Sequence, residues 1–104
     1  MKRKKLIRHN FREAVFTRDN HACRMCGATG ELDAHHITDR NEMPGGGYVA
    51  ENGISLCTAC HIEAEVYHSS GKTEWKEGWH PDDLYRVIGS WHLVAVEVSR
   101  RRLC

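Results

Sequence analysis

Apolar side chains are in short supply. Hydrophobic residues make up 40% of the 104-residue chain and aromatics 8%, below the usual apolar share of a globular domain. One compact domain is expected, and a core this small needs a staple, either disulfides or a metal. No stretch approaches the roughly 18 consecutive apolar residues of a membrane helix, so no membrane span is expected. The basic start, Met1-Lys2-Arg3-Lys4-Lys5, has no apolar stretch behind it, so no secretory signal is expected and the setting is read as reducing and intracellular. No internal repeat is visible.

Acidic residues are scarce at one end. Residues 1–26 hold eight Lys/Arg against two Asp/Glu, whereas residues 27–83 hold three against eleven. Basic residues return at Arg86 and at Arg100-Arg101-Arg102, so the net charge of +1 hides basic flanks around an acidic centre. Such flanks grip a polyanion around a cation-holding middle, or are simply solvated ends.

Asn10 with Glu13 has the form of a capping box, and Phe11, Ala14 and Val15 make an apolar stripe. Together they predict a helix over 11–19, behind a basic arm at 1–9 and within a single domain at 10–104. Residues 31–37 predict a strand with Leu32, Ala34 and Ile37 as its apolar members, and 54–56 a second. The intervening loop is most flexible at Met43-Pro44-Gly45-Gly46-Gly47. Residues 61–69 have helical character, with Ile62 and Val66 facing the core. Trp75 and Trp79, in the polar stretch that follows, are exposed or pack as lids. Pro81, Asp82 and Asp83 suit the start of a helix with Leu84, Val87 and Ile88 buried and Gly89 at its end. Ser90 caps a last helix over 91–101, with Val94 and Val98 one turn apart. The alternation of Val94, Val96 and Val98 also suits a strand; helix is preferred.

Five cysteines are present. Cys23/Cys26 and Cys57/Cys60 form two Cys-x-x-Cys pairs, the donor set of a structural zinc. A thioredoxin-like redox pair would need a βαβ context that is missing; buried free thiols are the other alternative. Cys104 reads as a free terminal thiol.

Between the pairs lie Leu32-Asp33-Ala34-His35-His36-Ile37 and Asn52, and His61 follows Cys60. Glu65 is one helical turn beyond His61, so both can meet one cation, and His68 is a further candidate. Imidazoles and a carboxylate gathered this way suit metal-assisted phosphodiester hydrolysis. A divalent ion polarises a phosphoryl oxygen and a neutral imidazole takes the proton of the attacking water. Asn52 can fix the loop by hydrogen bonds to backbone groups. His9, His21, His80 and His92 are left as ordinary surface or core residues.

The order Cys23-x-x-Cys26, Asp33-Ala34-His35-His36-Ile37, Asn52-Gly53-Ile54-Ser55-Leu56, Cys57-x-x-Cys60-His61 resembles the zinc-binding HNH endonucleases, in particular small phage and bacterial members. The resemblance spans about residues 10–70. It implies an α+β fold: a small ββα-metal (His-Me finger) domain with a four-cysteine structural zinc and flanking helices. It also implies that His35 and His61 bind the catalytic ion, with Glu65 or His68 as a further ligand. His36 would be the general base and Asn52 would steady the loop. Glu65 stands where some members carry histidine, and Asp33 is another substitute ligand. The implied cofactors are a structural Zn²⁺ and one catalytic Mg²⁺, Mn²⁺, Ni²⁺ or Zn²⁺. The implied partner is DNA, held at phosphates by Arg40, Lys4, Lys5, Arg8 and the C-terminal arginines, with weak sequence choice and nicking at least as ready as double-strand cutting. The place of action is the cytoplasm of a bacterial or phage-infected cell. A non-catalytic zinc module that binds DNA, or an accessory subunit of a phage DNA-packaging complex, is the alternative. Adjacent strand residues face opposite ways, so a bulge or strand end is expected to re-aim one histidine.

Overall fold

A computed structural model describes residues 2–103; Cys104, expected to be a free thiol, lies outside them. The organising unit is a hairpin. Strands β1 (Leu32–His36) and β2 (Gly53–Cys57) pair antiparallel, from Leu32 opposite Cys57 to His36 opposite Gly53. The helix α2 (Thr58–Ser69) follows β2 directly. Helix α1 (Arg3–Arg18) contacts both strands, as does α2, and Ile54, Ser55 and Leu56 are sealed in consequence. The loop between the strands is built from three short 3-10 turns, at Arg40–Glu42, Pro44–Gly46 and Ala50–Asn52. Two further helices, α3 (Pro81–Val87) and α4 (His92–Arg102), complete the fold. No helix among the described residues is long and apolar enough to cross a membrane.

Helix α1 begins at Arg3, well before the expected 11, so basic residues 3–8 ride on its first turns. Its N-cap is Lys2, without a side-chain bond, and the Asn10/Glu13 box falls inside the helix. Phe11 and Val15 are its buried residues; Ala14 of the expected stripe is exposed. Both buried side chains press on Gly53, where a Cβ would stand 2.5 Å from Val15 Cγ2 and 2.7 Å from Phe11 Cζ. Gly53 therefore lets α1 lie directly on β2.

Asp19, expected only to end α1, is a buried hub. It accepts from Arg18 Nε at 2.8 Å, Arg24 Nη1 at 2.7 Å and the Ser55 backbone N–H at 2.9 Å. Arg18 continues to Ala50 O and Gly53 O, and Arg24 to Val87 O. One carboxylate so ties together α1, the first cysteine knuckle, β2 and the end of α3. Burial alone would raise its carboxyl, but the bonds from Arg18, Ser55 and Arg24 outweigh burial and hold it at about 2. Asp19→Ala is expected to cost about 3 kcal/mol in urea unfolding. That is the low end for breaking a buried pair, since both arginines keep some solvent. A folded-state value below the ordinary 3.8 means that this stabilisation is present above pH 4 and lost as pH falls towards 2. The wild-type unfolding midpoint should drop across that window and the Asp19→Ala midpoint should drop less.

Several expected core positions are displaced. Ile62 is 67% exposed, and Ala64 is the buried residue of α2. Val87 is exposed while Leu84 and Tyr85 are buried. Helix α4 forms as preferred over a strand, but it buries Ala95 and Ser99 while Val94 is exposed. Ser90 does not cap α4, whose N-cap is Trp91; the Ser90 hydroxyl donates to Glu51 O instead. Pro81 does open α3, but its cap is His80, with a capping box closed by Asp83.

Candidate metal centres and active site

The hairpin and α2 bring two donor clusters together. The first is Cys23, Cys26, Cys57 and Cys60, whose sulfurs all lie within 4.8 Å of one another. Cys23 and Cys26 come from a tight turn closed by Gly27 N–H to Cys23 O; Cys57 ends β2 and Cys60 lies in the first turn of α2. Cys26 Sγ stands 3.7 Å from Cys57 Sγ, close to the ~3.8 Å edge of a tetrahedron with ~2.3 Å metal–sulfur bonds. Burial pushes the Cys23 thiol up, but backbone N–H groups of Cys57, Cys26 and Met25 overcome this and bring it down to about 6. Burial and the three neighbouring sulfurs push Cys60 up. Crowded thiols that resist ionising together are what a soft divalent cation resolves, and the cluster could hold a structural zinc.

The second cluster is His35, His61 and Glu65. His35 leaves β1 towards α2, where His61 and Glu65 share one helical face at i, i+4. Glu65 Oε1 lies 3.3 Å from both His35 Nδ1 and His61 Nε2. His35 is 2% exposed, and its sealed Nδ1 makes no well-formed hydrogen bond, with the Glu65 carboxylate its 3.3 Å neighbour. A buried ring nitrogen so placed beside a carboxylate and a second imidazole fits a cation-binding role. Burial lowers the His35 pKa, opposed by Glu65. The His35 ring in turn holds the Glu65 carboxyl at about 2 despite burial. Both groups thus keep the unprotonated form that binds metal.

Asp33 is not among these donors. Its Oδ2 lies 3.3 Å from His61 Nδ1, on the far side of the ring from Glu65. A carboxylate there fixes the tautomer and leaves Nε2 free to ligate. Asp33→Asn is expected to weaken Mn²⁺ binding about tenfold by calorimetric titration, with folding unchanged. His68 is also outside the cluster. Its Nε2–H donates to His36 O at 3.2 Å, so it supports the β1 backbone.

His36 faces away from this cluster. Its ring stacks on Phe11 of α1, with centroids 4.4 Å apart, and meets the edge of Tyr48 at 4.8 Å. Of the bulge or strand end expected here, the structure has the strand end, because the β1–β2 register runs unbroken to His36. The two histidines alternate as on any strand, one towards α2 and one towards α1, and His36 is simply the last residue of β1. Burial, then the Arg40 cation, brings its pKa down to about 4, so the ring is uncharged at neutral pH. Its Nε2 is sealed without a partner.

Asn52, fully buried, holds the loop after His36. Its Oδ1 accepts from Thr38 N at 3.0 Å and from the Tyr85 hydroxyl at 2.7 Å. Its Nδ2 donates to Thr38 O and Gly47 O. Thr38 Oγ1 also meets the Tyr85 hydroxyl, at 2.6 Å, and His92 Nδ1 at 3.2 Å. The helices α3 and α4 thereby reach the loop through side chains that carried no signal in the sequence. Lys4 and Lys5 are exposed on α1. Arg40 is exposed in the first 3-10 turn, with Nη1 donating to Tyr48 at 3.1 Å.

Two histidines and a glutamate around one point, a third histidine beside them and a buried asparagine locking the loop form a recognisable set. Residues 23–65 match the family model described as HNH endonuclease. The HNH segment spans both cysteine pairs, β1, β2 and α2 as far as Glu65, and its β–β–α order is consistent with a ββα-metal fold. The match implies nuclease-type activity in general, and HNH nucleases act on DNA. No curated protein and no solved structure matches the chain. Arg18, Asp19, Tyr85 and His92 lie outside the HNH segment yet hold it in place.

Proposed function

We propose that the chain is a metal-dependent DNA endonuclease that hydrolyses backbone phosphodiesters with weak sequence choice. The observation that carries this reading is the convergence of His35 Nδ1, His61 Nε2 and Glu65 Oε1 at one point, with the uncharged His36 next in the chain. His35, His61 and Glu65 would hold a divalent cation there, which would supply positive charge to the phosphoryl and leaving oxygens.

The protein's own groups do the rest. His36 takes the proton of the attacking water at Nδ1, the ring nitrogen not sealed by packing. Phe11 and Tyr48 fix the plane of that ring, and Asn52 fixes the backbone that follows it. Asp33 orients His61. Because His36 ends β1, a phosphate lying across the strand end meets both histidines, although their rings face opposite sides. Arg40, Lys4 and Lys5 contact backbone phosphates, which gives salt-sensitive affinity without reading bases. The four cysteines would hold a structural zinc at the corner between β2 and α2, apart from the chemistry.

Incubating the zinc-loaded protein with supercoiled plasmid and either Mg²⁺ or Mn²⁺ tests this. Conversion to nicked circles, dependent on the added ion, is expected. Binding of the plasmid with no nicking under either ion would instead make the chain a non-catalytic DNA-binding module.

A further inference from the structure

A hollow of about 360 Å³ opens between α1 and the loop that follows β1. Lys4, Ile7 and Arg8 of α1 form one wall; Arg40, Gly45 and Tyr48 form the other. Half of this lining is cationic and none of it is acidic. Lys4 and Arg8 are one helical turn apart and project from the same face. Neither makes an ion pair within the described residues. Arg102, at the end of α4, donates from Nη2 to Gly45 O at 3.0 Å. Basic residues of α1 and of the loop after β1 thus meet at one hollow. Ile7 and Tyr48 supply the apolar part of the lining.

The hollow adjoins the candidate base. Tyr48, one of its walls, is the ring whose edge meets His36, and Phe11, three residues beyond Arg8 on α1, stacks on His36. We infer that the hollow is a subsite for one backbone phosphate of the cleaved DNA strand, the neighbour of the phosphate at His36, held by Lys4, Arg8 and Arg40. Two guanidinium groups suit a phosphate because each can donate two parallel hydrogen bonds to its oxygens. That the held phosphate neighbours a cut rests on the nuclease reading; that a phosphate is held does not.

The test is DNA affinity as a function of salt, measured by fluorescence anisotropy on a short duplex without added divalent cation. Arg8→Ala should lower the log–log salt slope by about 1, the contribution of one phosphate contact. Arg8→Lys should restore most of it, and Arg86→Ala, on α3, should change nothing. Lys4 and Arg8 are exposed on a helix, so alanine is tolerated there. In a second arm, one duplex phosphate is replaced by a neutral methylphosphonate and the nicks are mapped. Wild type should nick less beside the substitution, and Arg8→Ala should show no such gap. An unchanged slope in the Lys4→Ala/Arg8→Ala protein overturns the subsite, as does wild-type nicking undiminished beside the methylphosphonate. A reduced slope with no plasmid nicking upholds the subsite and sinks the nuclease reading; nicking with an unchanged slope does the reverse.

Discussion

Cys57→Ser is expected to strip the four-cysteine site of its metal and to unfold the protein. Cys57 stands where β2 becomes α2, opposite Leu32 in the hairpin, with its sulfur 3.7 Å from that of Cys26. A metal held there would join the first knuckle to the corner from which both His61 and Glu65 project. With apolar residues at 40%, the core has little in reserve. Structural zinc supplies an apparent ~10–16 kcal/mol in small zinc domains, against a net stability of only ~5–15 kcal/mol for a typical domain. Losing a large part of the first term leaves no folded state. Zinc content by plasma emission and thermal unfolding by far-UV circular dichroism check this: near-stoichiometric zinc with a cooperative transition in wild type, little zinc and no transition in the variant. A chelator should reproduce the variant's behaviour in wild type. A cooperative transition without zinc would show that the cysteines are free thiols and not a frame.

His36→Ala is expected to slow plasmid nicking about 10²–10⁴-fold, the usual contribution of a positioned general base. It should leave the divalent ion in place, because His36 is not one of the converging donors. His35→Ala should lose both, since His35 Nδ1 is a member of the donor set. The pair separates proton transfer from ion binding, with ion affinity read by titration and DNA affinity by anisotropy. Truncating His36 also removes a ring stacked on Phe11, so the unfolding midpoint is measured beside the rate. Equal nicking rates in wild type and His36→Ala would remove His36 from the chemistry.

Much of the site was legible because its donors are chemically distinctive and lie at fixed spacings. Two Cys-x-x-Cys pairs mark one four-sulfur cluster wherever the chain returns on itself, and His61 with Glu65 at i, i+4 shares a helix face by geometry alone. The order strand, strand, helix between residues 31 and 69 was legible for the same reason, and so was the helix after Ser90. What escaped was tertiary. Asp19 looks like an ordinary helix end until Arg18, Arg24 and Ser55 close around it. Tyr85 is one of several apolar-faced residues in α3 until its hydroxyl meets Asn52 and Thr38. Ile62 seemed a core residue because it is apolar. The face of α2 that meets the hairpin is instead set by His61, Ala64 and Glu65, which turns Ile62 outward. Re-aiming one ring at His35-His36 by a bulge proved unnecessary; His36 lies at the strand end, the other expected arrangement, and α1 and α2 each receive one of the two rings.

The proposed chemistry rests on one cation shared by His35, His61 and Glu65 next to an uncoordinated His36. Anomalous diffraction from zinc-loaded crystals soaked in Mn²⁺ tests it most directly. A manganese peak bounded by His35 Nδ1, His61 Nε2 and Glu65 Oε1, with His36 outside its coordination and a separate zinc peak among the four cysteines, is the predicted result. A manganese peak held by His68 or His36, or none between β1 and α2, would contradict it.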